Sequence, residues 1–112
     1  MRKLITENAV EALRILLMRL NIKFTSQTLN KLKSHPDFPS LVAFNYVLTQ
    51  LGIENVTLRV PYEQMQNELP KPLLVHTKTN GGMYFVIAEL DENKVNFINE
   101  NGKVISFSKM IL

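Results

Sequence analysis

The feature that most constrains this chain is a change of hydrophobic period near residue 52: apolar residues recur at helical spacing before it and alternate after it. In "TENAVEALRILLMRLN", Ala9, Ala12, Leu13, Leu16, Leu17 and Leu20 share one helical face. That helix is predicted to start at Thr6 or Asn8 and to stop at Asn21. "FTSQTLNKLKSH" predicts a short helix capped by Thr25 or Ser26, carrying Leu29 and Leu32. Pro36 ends it, because the residue before a proline is pushed out of the helical region. "PSLVAFNYVLTQLG" gives the clearest helix, with Ser40 as cap, Leu41, Phe44, Leu48 and Leu51 as its stripe, and Gly52 at its end.

After residue 52 the pattern is that of strands. Val56, Leu58 and Val60 alternate with polar residues in "IENVTLRV", which predicts a strand, and Pro61 then opens one or two helical turns. "PLLVHTK", "MYFVIAEL", "KVNFIN" and "KVISF" are four further strand-like runs. They are parted by Asn80-Gly81-Gly82, Asp91-Glu92-Asn93 and Glu100-Asn101-Gly102, all residues that favour turns. Ser108 has the look of a helix N-cap just before the apolar pair Ile111-Leu112, as in a domain taken from a longer polypeptide. The fold class is therefore α+β: a helical lobe over residues 1–52, then a mostly antiparallel sheet over residues 53–112. At 112 residues the chain fits one domain.

Composition narrows the chemistry. There is no cysteine, which removes disulfides, thiolate metal sites and any thiol nucleophile at once. His35 and His76 lie in different elements with no carboxylate pair nearby in spacing, so neither a metal nor another cofactor is expected. His76, inside an apolar strand, reads as a hydrogen-bonded structural histidine. The 13 basic and 10 acidic side chains are spread along the chain, and only Lys31 and Lys33 cluster, so no nucleic-acid partner is expected. No apolar run is long enough for a signal segment or a membrane span. His35-Pro36-Asp37 also spells a tripeptide found in J-domain co-chaperones, but those domains are all-helical, and a Pro-Asp turn between helices accounts for it.

Taken in order, the elements resemble one family over residues 8–112. They are an apolar first helix, "FTSQTL", a Pro-Ser-Leu helix ending "QLGIEN", then "LPKPLLVH", "GGMYFVIAEL" and a final hairpin. The chain resembles the papain-like, bacteriocin-processing peptidase domain at the N-terminus of peptide-exporting ABC transporters, which cleaves leader peptides after a double glycine. "SHPDFPSL" resembles a divergent branch fused to other membrane proteins, including vitamin K epoxide reductase-like ones. The resemblance implies a papain-like fold and a cysteine, histidine and aspartate triad, with a glutamine as oxyanion donor. Carried over one at a time, the nucleophile falls near Asn8 and the glutamine near Ile5. The histidine falls on Tyr84, just after Met83, and the aspartate on Asn99. None of the four required groups stands at these positions.

The resemblance thus implies a domain that is not an enzyme. It would bind a peptide or a double-glycine leader in the former cleft, near Asn8, Met83, Tyr84 and Asn99. A covalently linked transmembrane domain and a place on the cytoplasmic side of a membrane follow from the same likeness. Tyr84 alternatively packs a sheet face, as tyrosines in strands commonly do. Two other readings stay open: a self-contained interaction domain with a filled cleft, and a hydrolase with a relocated nucleophile, Ser40 with His35.

Overall fold

The structure is a computed structural model that describes residues 2–57, 69, 71–77 and 82–108. Three helices come first: α1 (Arg2–Arg19), α2 (Ser26–Lys33) and α3 (Leu41–Gln50). Four strands follow: β1 (Leu73–His76), β2 (Tyr84–Leu90), β3 (Lys94–Ile98) and β4 (Val104–Ser108). This is the expected α+β order, helices then an antiparallel sheet.

The first helix begins earlier than its capping residues suggest. Thr6 and Asn8 lie inside α1, not at its start. No glycine or proline interrupts Arg2 to Glu7, and Ile5 extends the apolar stripe onto the core, so nothing stops the helix there. Its C-terminus follows expectation. Asn21 has φ of 60°, the Ile22 N–H reaches Leu17 O at 2.9 Å, and the Asn21 N–H reaches Met18 O at 3.0 Å. This is a Schellman closure, in which a left-handed residue lets orphan carbonyls be satisfied. The α3 helix closes the same way through Gly52, with φ of 78° and the Ile53 N–H on Leu48 O at 2.9 Å.

The other caps match the residues that predict them. Thr25 is the N-cap of α2, and its N–H donates to Thr28 Oγ1 at 3.2 Å. Ser40 Oγ accepts from the Ala43 N–H at 3.2 Å and starts α3.

The sheet is an antiparallel meander in the order β1-β2-β3-β4. A bulge between Ile87 and Glu89 shifts the β2–β3 register from Ile87↔Phe97 to Glu89↔Asn96. The extra residue changes the phase of β2, so Phe85, Ile87 and Leu90 all belong to one cluster. Both described turns are built on a side-chain acceptor. Asp91 Oδ1 takes the N–H groups of Asn93 at 2.8 Å and Lys94 at 2.7 Å. Asn99 Oδ1 does the same for Asn101 at 2.9 Å and Lys103 at 3.0 Å.

The main core lies between the helices and one face of the sheet. Leu13 and Leu17 of α1, Leu32 of α2, and Phe44 and Val47 of α3 meet Tyr84, Val86, Ala88 and Ile98. Fully burying a side chain of this size stabilises the fold by about 1.5–3 kcal/mol. The opposite face buries Ile87, Leu90, Val95 and Phe97, with the Phe85 and Phe97 rings stacked at 4.9 Å.

Some expectations do not carry through. Val56 is 75% exposed, and no strand runs through it, because none of the described residues covers it as a sheet face requires. Ser108 ends β4 instead of capping a helix, since its pairing with Lys94 keeps the chain extended. Leu58, Val60, the turns begun by Pro61, and Asn80-Gly81 lie outside the described residues. Among the described residues no helix is long and apolar enough to cross a membrane.

Candidate functional site

The site begins with an amide on the wrong face of a helix. Asn8 stands between Ile5 and Ala12 on the stripe of α1 that turns to the core. A polar group in such a place needs partners. It finds both on one residue 76 positions away. Asn8 Nδ2 donates to Tyr84 O at 3.0 Å, and the Tyr84 N–H donates to Asn8 Oδ1 at 2.6 Å. The side-chain amide thus pairs with the backbone of β2 as another strand would, pinning the first residue of that strand to the second turn of α1.

Tyr84 itself points into the core. It is 2% exposed, and its ring lies 5.0 Å from that of Phe44 and stacks on His76 at 4.3 Å with planes 9° apart. Burial raises the Tyr84 phenol above its ordinary value near 10, so it holds its proton at neutral pH. His76 and Tyr84 are cross-strand partners in the β1–β2 ladder. The His76 ring is anchored at its other end, with Nε2 3.1 Å from Gly82 O. Since a carbonyl oxygen only accepts, Nε2 carries the hydrogen. His76 is therefore hydrogen-bonded as expected, at a strand end.

Gly82 makes this packing possible. Its φ is 119°, and a Cβ there would lie 2.9 Å from His76 Nε2. Next to it, Met83 is half-buried, and its carbonyl takes the Thr77 N–H at 2.9 Å and the Thr77 hydroxyl at 3.1 Å.

Asn99 stands at the end of β3 under the same helix. The register Ile87↔Phe97 brings the start of β2 and the end of β3 to one end of the sheet. There α1 holds both. Asn8 holds Tyr84, and two turns on, an Arg14 NH2 donates to Glu100 O at 2.9 Å. Arg14 also pairs with Glu11, whose carboxylate raises the guanidinium pKa. The Asn99 amide oxygen, however, is committed to its own turn. Among the described residues no hydrogen bond joins Asn99 to Asn8 or Tyr84. The structure thus brings Asn8 into contact with Tyr84, sets Met83 beside them, and leaves Asn99 a separate structural task. Ile5, at the glutamine position, packs as an apolar side chain.

The other sequence candidates are occupied locally. Ser40 caps α3, and His35 Nδ1 accepts from the Asp37 N–H at 3.0 Å while its ring meets Tyr46 at 5.3 Å. Among the described residues no hydrogen bond links Ser40 to His35. Nor does any group of three His, Asp or Glu side chains gather there to hold a metal ion. Neither the mutual bonding of Asn8 and Tyr84 nor the anchoring of Arg14 is among the features the sequence predicts. The signal for the first was available: an asparagine on an otherwise apolar helical stripe.

A helical lobe against an antiparallel sheet, with the first helix laid over the start of β2, is the arrangement of a papain-like peptidase domain. The Peptidase C39 family model matches residues 5–110, and the chain belongs to that family. Neither the curated proteins nor the solved structures give a match.

Proposed function

We propose that this chain is a non-catalytic member of its peptidase family, which docks a polypeptide segment without cutting it. The observation that carries the reading is the Asn8–Tyr84 pairing. A nucleophile and a general base have to be within reach of each other and of a substrate carbonyl. At the two positions that the resemblance assigns to them, both polar groups of an amide are spent on backbone. No cysteine is present to replace it, and a tyrosine with a raised pKa cannot take a proton at neutral pH. The likeness to the peptidase family supports a peptide, such as a double-glycine leader, as the ligand class. By the same likeness we place the domain on the cytoplasmic side, covalently joined to a transmembrane partner of the exporter kind.

A second reading is supported by a specific fact. With Tyr84 2% exposed between Phe44 and His76, the floor of the old cleft is filled with side chains. On that reading the domain is a self-contained interaction module whose contacts lie elsewhere.

An NMR titration of the isotope-labelled chain with a synthetic leader peptide ending in two glycines separates them. Peptide docking predicts saturable amide shifts that include residues next to Asn8, Met83, Tyr84 or Asn99. Absence of any shift at millimolar peptide sinks the docking proposal and leaves the module reading.

A further inference from the structure

We propose that the outer edge of β4, with the cleft beside it, takes up an acidic extended peptide by strand addition. This rests on the peptide-docking reading above and names the surface that does the docking.

The β3–β4 hairpin fixes which backbone groups face outward. Its turn closes with the Asn99 N–H on Lys103 O at 2.9 Å and the Gly102 N–H on Asn99 O at 2.9 Å. Asn99 and Lys103 are therefore a hydrogen-bonded pair, and bonded and non-bonded pairs alternate along an antiparallel ladder. Phe97↔Ile105 is then bonded, while Ile98↔Val104 and Asn96↔Ser106 are not. Val104 and Ser106 must aim their N–H and C=O groups away from β3. Among the described residues no strand pairs with that edge, and residues 101–106 are all exposed. An open edge of this kind is a template for an added strand.

Side chains give the edge a recess. Val104 is 50% exposed and shares a face with its partner Ile98, the face turned toward α1. Ile98 in turn lines an open cleft of about 360 Å³, walled by Ile15, Met18 and Arg19 on one side and the Asn99–Gly102 turn on the other. Met18 is 49% exposed there. Peptides that add to a sheet edge gain affinity from the main chain and specificity from recesses that take alternate side chains. Both are present within one hairpin.

Charge selects the occupant. Arg19 lines the recess with no ion pair among the described residues, and Lys103 is exposed at the entry to β4; Glu100 is the one carboxylate on this rim. Two cations against one anion favour an acidic segment. A second copy of this chain would bring the same Arg19 and Lys103 to the edge and is disfavoured for that reason.

The test titrates the labelled full chain with the capped peptide Ac-Glu-Val-Glu-Val-Glu-NH2. The proposal expects saturable shifts at Met18, Arg19, Val104 and Ser106. It also expects binding to weaken at least tenfold in Ser106→Pro, whose missing N–H is not part of the β3–β4 ladder. Val104→Glu, which sets a carboxylate against the acidic peptide at an exposed side chain, is the second variant and should weaken binding similarly. Unchanged affinity in both variants, or no shift at the edge, overturns the proposal. Shifts of the same amides on raising protein concentration without peptide also overturn it, in favour of a second copy. The probe differs from the leader peptide, so the two readings fail separately: a leader that shifts residues around Asn8 and Tyr84 while the acidic peptide leaves the edge amides unmoved refutes the edge and keeps peptide docking.

Discussion

The Asn8 side chain holds both backbone groups of Tyr84, at 3.0 and 2.6 Å, and so ties the second turn of α1 to the first residue of β2. On the proposed reading these are the positions of a nucleophile and its base, which have to be within reach of each other. Here a side-chain amide and the backbone of a strand meet there instead. The pairing is a mechanical link between the helical lobe and the sheet, and its strength can be measured.

Asn8→Ala strips Tyr84 of one donor and one acceptor partner at once. A buried polar group left unpaired costs about 1–3 kcal/mol, and since Asn8 is only half-buried, a total loss of about 2 kcal/mol is expected. Urea denaturation should show a lowered midpoint with an unchanged slope. A midpoint within error of the parent chain would mean that water replaces the amide without cost.

Gly82→Ala should be worse tolerated than Gly52→Ala, although both glycines have positive φ. At Gly52 the added methyl meets open space, so the cost is the backbone alone, about 1–2 kcal/mol. At Gly82 the methyl also collides with His76 Nε2, and that ring cannot retreat from its stack on Tyr84. Thermal unfolding of the two variants side by side checks the order; equal losses would show that His76 moves freely.

Alkaline pH should destabilise the chain through Tyr84. Burial raises its pKa, so between the ordinary value near 10 and the folded value the unfolded state has lost the proton that the folded state keeps. Stability from this group is complete below pH 10 and falls as pH rises through the folded pKa. Tyr84→Phe should flatten that fall while leaving the packing against Phe44 in place. An identical alkaline profile in the variant would assign the effect to other groups.

The Asp91 carboxylate should titrate below the ordinary value of 3.8, because it accepts from the Asn93 and Lys94 N–H groups. Its contribution is present above that value and is lost as pH falls through the folded pKa. Carbon-detected NMR of the side chain reads this directly. A midpoint at or above 3.8 would contradict the turn geometry.

Local chemistry was readable in the sequence wherever it is settled within a few residues. Ser40 caps α3, Gly52 and Asn21 close their helices, and the Asp91 and Asn99 turns fall where turn-forming residues cluster. The start of α1 lies before Thr6 because a capping residue acts as a cap only where the preceding chain leaves the helix, and Ile5 keeps it in. The β2 bulge was invisible, since a phase slip depends on the partner strand. The resemblance brought Asn8 and Tyr84 to the same site, but not their mutual bonding. That depends on an amide fitting a strand end 76 residues away, and no local rule contains it.

The most direct test of non-catalytic docking is to incubate a leader peptide ending in two glycines, extended by a short cargo, with the chain in excess, and to follow it by mass spectrometry. The peptide is expected to stay intact, at the rate of a blank, while the same sample shows saturable binding by NMR. Cleavage after the second glycine, above the blank and copurifying with the chain, would contradict the account.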